Sequence, residues 1–264
     1  MVCGAGRPSD NRIVRHTAKF NNGRGIWFDT TGSGNVVEAS FLEGNLIAGL
    51  QFEATQGPNW ALNNVIVASR LANDGDPRAD GDGIAMREAR DTHIYNNTIV
   101  GVEGASILIS GNERNEGSDY AANTHVFNNI LVDSGSAAVR FWLWNTAREE
   151  PRVGSHRFDN NLYYGNTITI IFPDVYNAYG CCYLDWSLSE WQQHREEDQH
   201  SLNAEPKFVD QTALVFSLQA NSPAIDAGQN LAQVIDDFSG TSRPRGLYTD
   251  IGAFERKGLG NKPR

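Results

Sequence analysis

Two short runs constrain the chain more than anything else in it: Gly25-Ile-Trp-Phe-Asp29 and Gly49-Leu-Gln-Phe-Glu53. Both read glycine, apolar, variable, phenylalanine, carboxylate, and Asp29 and Glu53 stand 24 residues apart. That interval is about one turn of a parallel β-solenoid. With side chains alternating across a strand, Ile26 and Phe28 face inward while Trp27 and Asp29 face outward. Leu50 with Phe52, and then Ile84 with Met86, repeat the inward pair, so the outer column at the strand ends reads Asp29, Glu53, Arg87. Neighbouring strands lie about 4.8 Å apart. A retaining glycosidase places its two carboxyl groups about 5–5.5 Å apart.

A second pattern points to the same architecture. Asparagine followed by apolar or β-branched residues begins at Asn11, Asn45, Asn64, Asn97, Asn129 and Asn161, at spacings of 34, 19, 33, 32 and 32 residues. Stacked side-chain amides at a bend satisfy one another along a ladder, and unequal loops between turns account for the drift. A strand of the first type precedes the later asparagines at Gly25–Asp29, Gly49–Glu53, Gly83–Arg87, Ala105–Ser110 and Ala137–Trp142. The expected fold is all-β: a right-handed parallel β-helix with an asparagine ladder over residues 1–172, then a last coil and C-terminal cap of the same domain over 173–264. Within that cap Ser187-Leu-Ser-Glu190 is a capping box that starts one short helix, and the segment is expected to hide the open end of the solenoid.

Composition narrows the partners. A net charge of −10 with no Lys/Arg run disfavours nucleic acid and anionic membranes, and favours a neutral sugar over a polyanionic one. Three cysteines, two of them the adjacent Cys181 and Cys182, make no disulfide framework. No leader-like segment opens the chain, which points to a cytoplasmic location, although a truncated N-terminus gives the same pattern. A homo-oligomer is compatible with all of this.

The ending Ser222-Pro-Ala-Ile-Asp-Ala-Gly228 and Asp250-Ile-Gly-Ala-Phe-Glu255 resembles the C-terminal segment of many bacterial right-handed β-helix proteins. The stretch from Gly25 to Ser69, with Trp27-Phe-Asp29, Glu53-Ala-Thr-Gln-Gly-Pro58 and Asn63-Asn64, resembles the active-site turns of the β-xylosidases of glycoside hydrolase family 120. That resemblance implies Asp29 as nucleophile, Glu53 as acid/base, and an oligosaccharide such as a xylo-oligosaccharide as substrate. Gln56 stands where that family commonly has an imidazole, and Thr30 where an aromatic is common.

The remaining candidates follow from the residues. Trp27, outward beside Asp29, could offer a sugar-stacking face or be covered by a loop. Arg87, next to Glu53 in the column, favours an ionised Glu53; it either turns to a sugar hydroxyl or to Glu88, or the two roles are wrongly assigned. Glycosidase chemistry requires no cofactor. The loop with Asp74, Asp76, Asp80 and Asp82 offers oxygen ligands suited to Ca²⁺ but lacks the spacing of a calcium loop, so a solvated acidic loop is expected and no metal site is assigned. His16, His93, His125 and His156 show no metal-ligand spacing. Two alternatives share the fold: a polysaccharide lyase in which Asp29 and Glu53 hold Ca²⁺ and Arg87 is the base, and a non-catalytic carbohydrate-binding wall.

Overall fold

A computed structural model describes residues 7–72, 81–111, 121–143, 155–171 and 183–256. The strands in chain order are β1 (Arg12–Val14), β2 (Thr17–Lys19), β3 (Ile26–Asp29), β4 (Asn35–Glu38), β5 (Phe41–Glu43), β6 (Ala48–Glu53), β7 (Asn59–Leu62), β8 (Val65–Val67) and β9 (Asp82–Arg87). They continue as β10 (Thr92–Tyr95), β11 (Thr98–Val100), β12 (Ala105–Gly111), β13 (His125–Phe127), β14 (Ile130–Val132), β15 (Ala137–Leu143), β16 (Arg157–Asp159), β17 (Leu162–Tyr164) and β18 (Ile168–Ile171). Next come β19 (Tyr183–Trp186), the helix α1 (Leu188–Arg195), β20 (Leu202–Asn203), β21 (Phe208–Asp210) and β22 (Val215–Leu218). The fold is all-β, with one short helix among the described residues.

Every third strand joins the same sheet. The first sheet is β1-β4-β7-β10-β13-β16, the second β2-β5-β8-β11-β14-β17-β20, and the third β3-β6-β9-β12-β15-β18-β19. All pairings inside them are parallel except β18 with β19. Each triplet of strands thus adds one strand to each sheet. The asparagine and glycine patterns mark strands of the second and third sheets and, in the first sheet, only β1. Those of the first are three or four residues long and present Trp60, His93, His125 and Arg157 outward, so they carry little hydrophobic signal.

One buried cluster draws side chains from all three sheets. Val37, Ala61, Ile94 and Val126 come from the first; Leu42, Ile66, Ile99 and Leu131 from the second; Phe28, Phe52, Met86, Ile109 and Phe141 from the third. Each of these side chains larger than alanine, when fully buried, contributes about 1.5–3 kcal/mol. The inward positions expected for Ile26, Phe28, Leu50, Phe52, Ile84 and Met86 are all buried. The glycines that open the third-sheet strands lie where backbones crowd: a Cβ on Gly49 would stand 2.5 Å from Ile66 Cγ2 and 2.9 Å from the Gly83 carbonyl oxygen. Alanine does not fit there.

The asparagines fall at three different corners rather than one. Asn64, Asn97, Asn129 and Asn161 form one column in which each backbone N–H donates to the next side-chain oxygen at 2.9–3.0 Å. Ser40 and Ser201 end it. Asn11 belongs instead with Asn35 and Asn59, and Asn45 with Asn21. This division explains the uneven spacing.

The C-terminal segment divides its work differently from the expected terminal cap. In α1, whose Ser187–Glu190 capping box is present, Leu188 and Trp191 join the inter-sheet cluster, and Trp191 stacks on Phe141. Phe208, Phe216, Leu218, Ala224, Ile251 and Ala253 instead cover the outer face of the second sheet, against Val65, Val100, Ile130 and Leu162. Asn63, Asn96, Asn128 and Asn160, all with φ between 52° and 60°, tie that cover down by donating to the carbonyls of Asp236, Asp250, Gln229 and Ala227. Asparagine tolerates this left-handed conformation better than most residues.

Candidate functional site

The outer face of the third sheet brings the two carboxylates together. β3 and β6 are parallel and in register, with Trp27 opposite Gln51 and Asp29 opposite Glu53. β6 and β9 continue the register with Glu53 opposite Arg87. Ser110 and Trp142 follow Arg87 in the same column. The expected order Asp29, Glu53, Arg87 is therefore the order in the sheet.

Exposure changes sharply along this face. Trp27 is 49% exposed and Asp29 is also exposed, whereas Glu53 is 8% and Gln51 0% exposed. Further along, Ala48, Ala85 and Leu108 form a buried outer cluster with Trp142 against it, and Asp82 pairs with Arg140 at 3.0 Å with both side chains buried. The carboxylate pair thus straddles the line where an open wall becomes a covered one.

Glu53 is held by its neighbours. Its Oε2 accepts from Gln51 Nε2 at 2.7 Å and from Trp27 Nε1 at 3.1 Å. Arg24 Nε donates to Gln51 Oε1 at 2.7 Å, and the Arg24 guanidinium lies 4.4 Å from the Trp27 ring centroid. Asp29 Oδ1 accepts from Thr30 Oγ1 at 2.9 Å. Trp27, expected as a sugar-stacking face or a covered aromatic, is half exposed, with one ring face under Arg24 and its N–H on Glu53.

Beyond the strand ends the chain turns toward the first sheet through Thr30, Ala54 and Glu88, with φ of 53°, 49° and 55°. A polar cleft of 360 Å³ opens there, lined by Arg7, Ala54, Thr55, Gln56, Glu88, Arg90 and Asp91. Arg7 Nη1 donates to the Ala54 carbonyl at 2.9 Å. Gln56 and Glu88 share this cleft; Trp27, Asp29 and Glu53 are not in its lining, although Ala54 directly follows Glu53. Two other cavities, of 530 and 340 Å³, are lined mostly by the C-terminal segment.

Among the described residues no three His, Cys, Asp or Glu side chains converge in a metal-binding arrangement. Asp74, Asp76 and Asp80 of the acidic loop lie outside the described residues. Asp82, expected in a solvated loop, is buried: its Oδ1 accepts from Arg140 Nη2 at 3.0 Å and from the Ala105 backbone N–H at 2.9 Å.

The histidines are more organised than their spacing suggested. His93 and His125 are register partners on the outer face of the first sheet, with ring centroids 5.0 Å apart, and Trp60 stacks on His93 at 4.0 Å. Burial, and then the neighbouring His125, pull His93 down to about 4. His156 sits inside, pulled down to about 3 by burial above all, and its Nδ1 accepts from the Thr124 N–H. The register that joins His93 to His125, 32 residues apart, was available from the 32-residue interval between Asn97 and Asn129.

Neither a family model nor any curated protein matches the chain. No described helix is long and apolar enough to cross a membrane.

Proposed function

We propose that the three interleaved parallel sheets close into one right-handed parallel β-helix, and that its third face carries a retaining, β-xylosidase-like glycosidase site. Asp29 is the nucleophile and Glu53 the acid/base. The observation that carries this reading is the in-register pairing of Asp29 with Glu53 on adjacent parallel strands. A strand spacing of about 4.8 Å suits carboxyl groups that must sit about 5–5.5 Å apart for double displacement.

In the first step the Asp29 carboxylate attacks the anomeric carbon while Glu53 gives its proton to the leaving oxygen. In the second, Glu53 takes a proton from water, and that water displaces Asp29. The exposed Asp29 lies on the open side, where a sugar reaches it; Glu53 lies on the covered side. Gln56 and Glu88 in the polar cleft, with Arg87 beside Glu53, are the groups that would hydrogen-bond sugar hydroxyls. A chain of net charge −10 suits a neutral saccharide.

The test is hydrolysis of an aryl β-xyloside followed by ¹H NMR. Wild type should release the β-anomer first, and Asp29→Asn and Glu53→Gln should each lose about 10²-fold or more in rate. Undiminished turnover in either variant, or inversion at the anomeric carbon, ends the proposal.

The register of Glu53 with Arg87 supports one other reading, a polyuronate lyase with Arg87 as base. It requires an unsaturated product absorbing in the ultraviolet and loss of activity with chelator. Sugar binding without any product would instead mark a non-catalytic wall.

A further inference from the structure

Resting on the glycosidase reading, we infer that Gln51 and Trp27 are positioning residues that hold Oε2 of Glu53, so that the proton it gives and takes is carried on Oε1. Two N–H donors converge on Glu53 Oε2, Gln51 Nε2 at 2.7 Å and Trp27 Nε1 at 3.1 Å. A carboxyl oxygen has two in-plane lone pairs, and two N–H donors fill them; neither donor can reverse to accept an O–H.

The amide of Gln51 cannot flip to relieve this. Arg24 is a donor only, and its Nε bonds Gln51 Oε1 at 2.7 Å, so the amide nitrogen must face Glu53. Gln51 is fully buried, which makes an unmet partner costly and the orientation firm. The same guanidinium covers Trp27, 4.4 Å from the ring centroid, so one cation orders both donors.

Register supplies the rest. Gln51 and Glu53 are two residues apart on one face of β6, and Trp27 lies opposite Gln51 on β3. The clamp is therefore built into the same two strands as the carboxylate pair. With Oε2 engaged, Oε1 is the atom that protonates the leaving oxygen and later takes the proton of water. Trp27 then serves the reaction through its indole N–H.

The test uses Gln51→Met, which keeps length and removes the donor, and Trp27→Phe, which keeps a ring and removes the N–H. The readout is kcat/KM, which reports the first step, on 2,4-dinitrophenyl and phenyl β-xylosides. Dinitrophenolate leaves without a proton, whereas phenolate needs one. Each variant should lose about 10- to 100-fold in kcat/KM on the phenyl substrate and less than about threefold on the dinitrophenyl substrate. An unchanged melting temperature shows that the fold is intact.

Equal losses on both substrates, or none on either, overturn the positioning role while leaving the glycosidase reading standing. A wild-type chain that cleaves no aryl glycoside overturns the reading itself, and this role with it.

Discussion

Replacing Asp198 by asparagine sets two opposing effects against each other where α1 meets the asparagine column. Asp198 is fully buried, and its Oδ2 accepts from Trp191 Nε1 at 3.0 Å and Tyr163 Oη at 2.8 Å. Its Oδ1 accepts from Asn161 Nδ2 at 3.0 Å and Ser201 Oγ at 2.5 Å. Four donors favour the charged carboxylate; burial disfavours it and prevails, pushing the group from 3.8 up to about 6. In the window between those values the folded chain holds a proton that the unfolded chain has released, so this group's contribution to stability falls as pH rises through it. At about 1.4 kcal/mol per pH unit the fall amounts to about 3 kcal/mol.

Asparagine cannot ionise, so that pH dependence vanishes in the variant. Its amide nitrogen must face either Trp191 Nε1 or Asn161 Nδ2, donors that cannot turn to accept, whereas the two hydroxyls can. One such mismatch costs about 1–3 kcal/mol at any pH. Asp198→Asn should therefore be less stable than wild type by about 1–3 kcal/mol near pH 4, and the gap should close by about 3 kcal/mol on going to pH 7. Urea unfolding at both pH values measures it; each kcal/mol also moves the melting temperature by about 2–4 °C in a chain of this size. Asp250, itself pushed up to about 6, is present in both proteins and cancels in the comparison. A gap that stays constant, or widens toward pH 7, would mean that the four donors outweigh burial and would refute the reasoning.

Two further outcomes follow from buried polar pairs. Arg140→Met should destabilise the fold by about 3–5 kcal/mol because it removes the cation 3.0 Å from the buried Asp82 carboxylate, and replacing both residues by apolar ones should recover only part of the loss, since the Ala105 N–H then lacks its acceptor. A single-variant loss under about 1 kcal/mol in urea would contradict this. Asn97→Ala strands the buried Asn64 backbone N–H and takes a donor from the Ala61 and Tyr95 carbonyls, costing about 1–3 kcal/mol, whereas Asn11→Ala breaks a half-exposed amide contact and should cost under about 1. Equal effects at the two positions would deny the central column its special role.

The third sheet was the most legible part of the sequence. Its central strands β6, β9, β12 and β15 have six or seven residues and an apolar face, so period-two alternation fixed both their direction and the Asp29–Glu53–Arg87 order. Beyond β1, the first sheet was not legible, because three- and four-residue strands that carry Trp60, His93 or Arg157 on their outward side look like loops. In the sequence the asparagines look like one series, although they belong to three columns. The doublets Asn63-Asn64, Asn96-Asn97, Asn128-Asn129 and Asn160-Asn161 marked the true column, the first member taking the left-handed turn and the second the ladder. The Gln51–Glu53–Trp27 clamp is not legible in the sequence for a different reason. It depends on side-chain torsions and on Arg24, and neither spacing nor hydropathy reports which oxygen of a carboxylate receives an N–H.

The claim that Asp29 and Glu53 act as a double-displacement pair is tested most directly by trapping the covalent intermediate. The chain is incubated with an activated 2-deoxy-2-fluoro-β-xyloside, digested and sequenced by mass spectrometry. One fluoroxylosyl group should be esterified to Asp29, with the adduct absent from Asp29→Asn. No adduct on any residue, or one on a carboxylate other than Asp29, would contradict it.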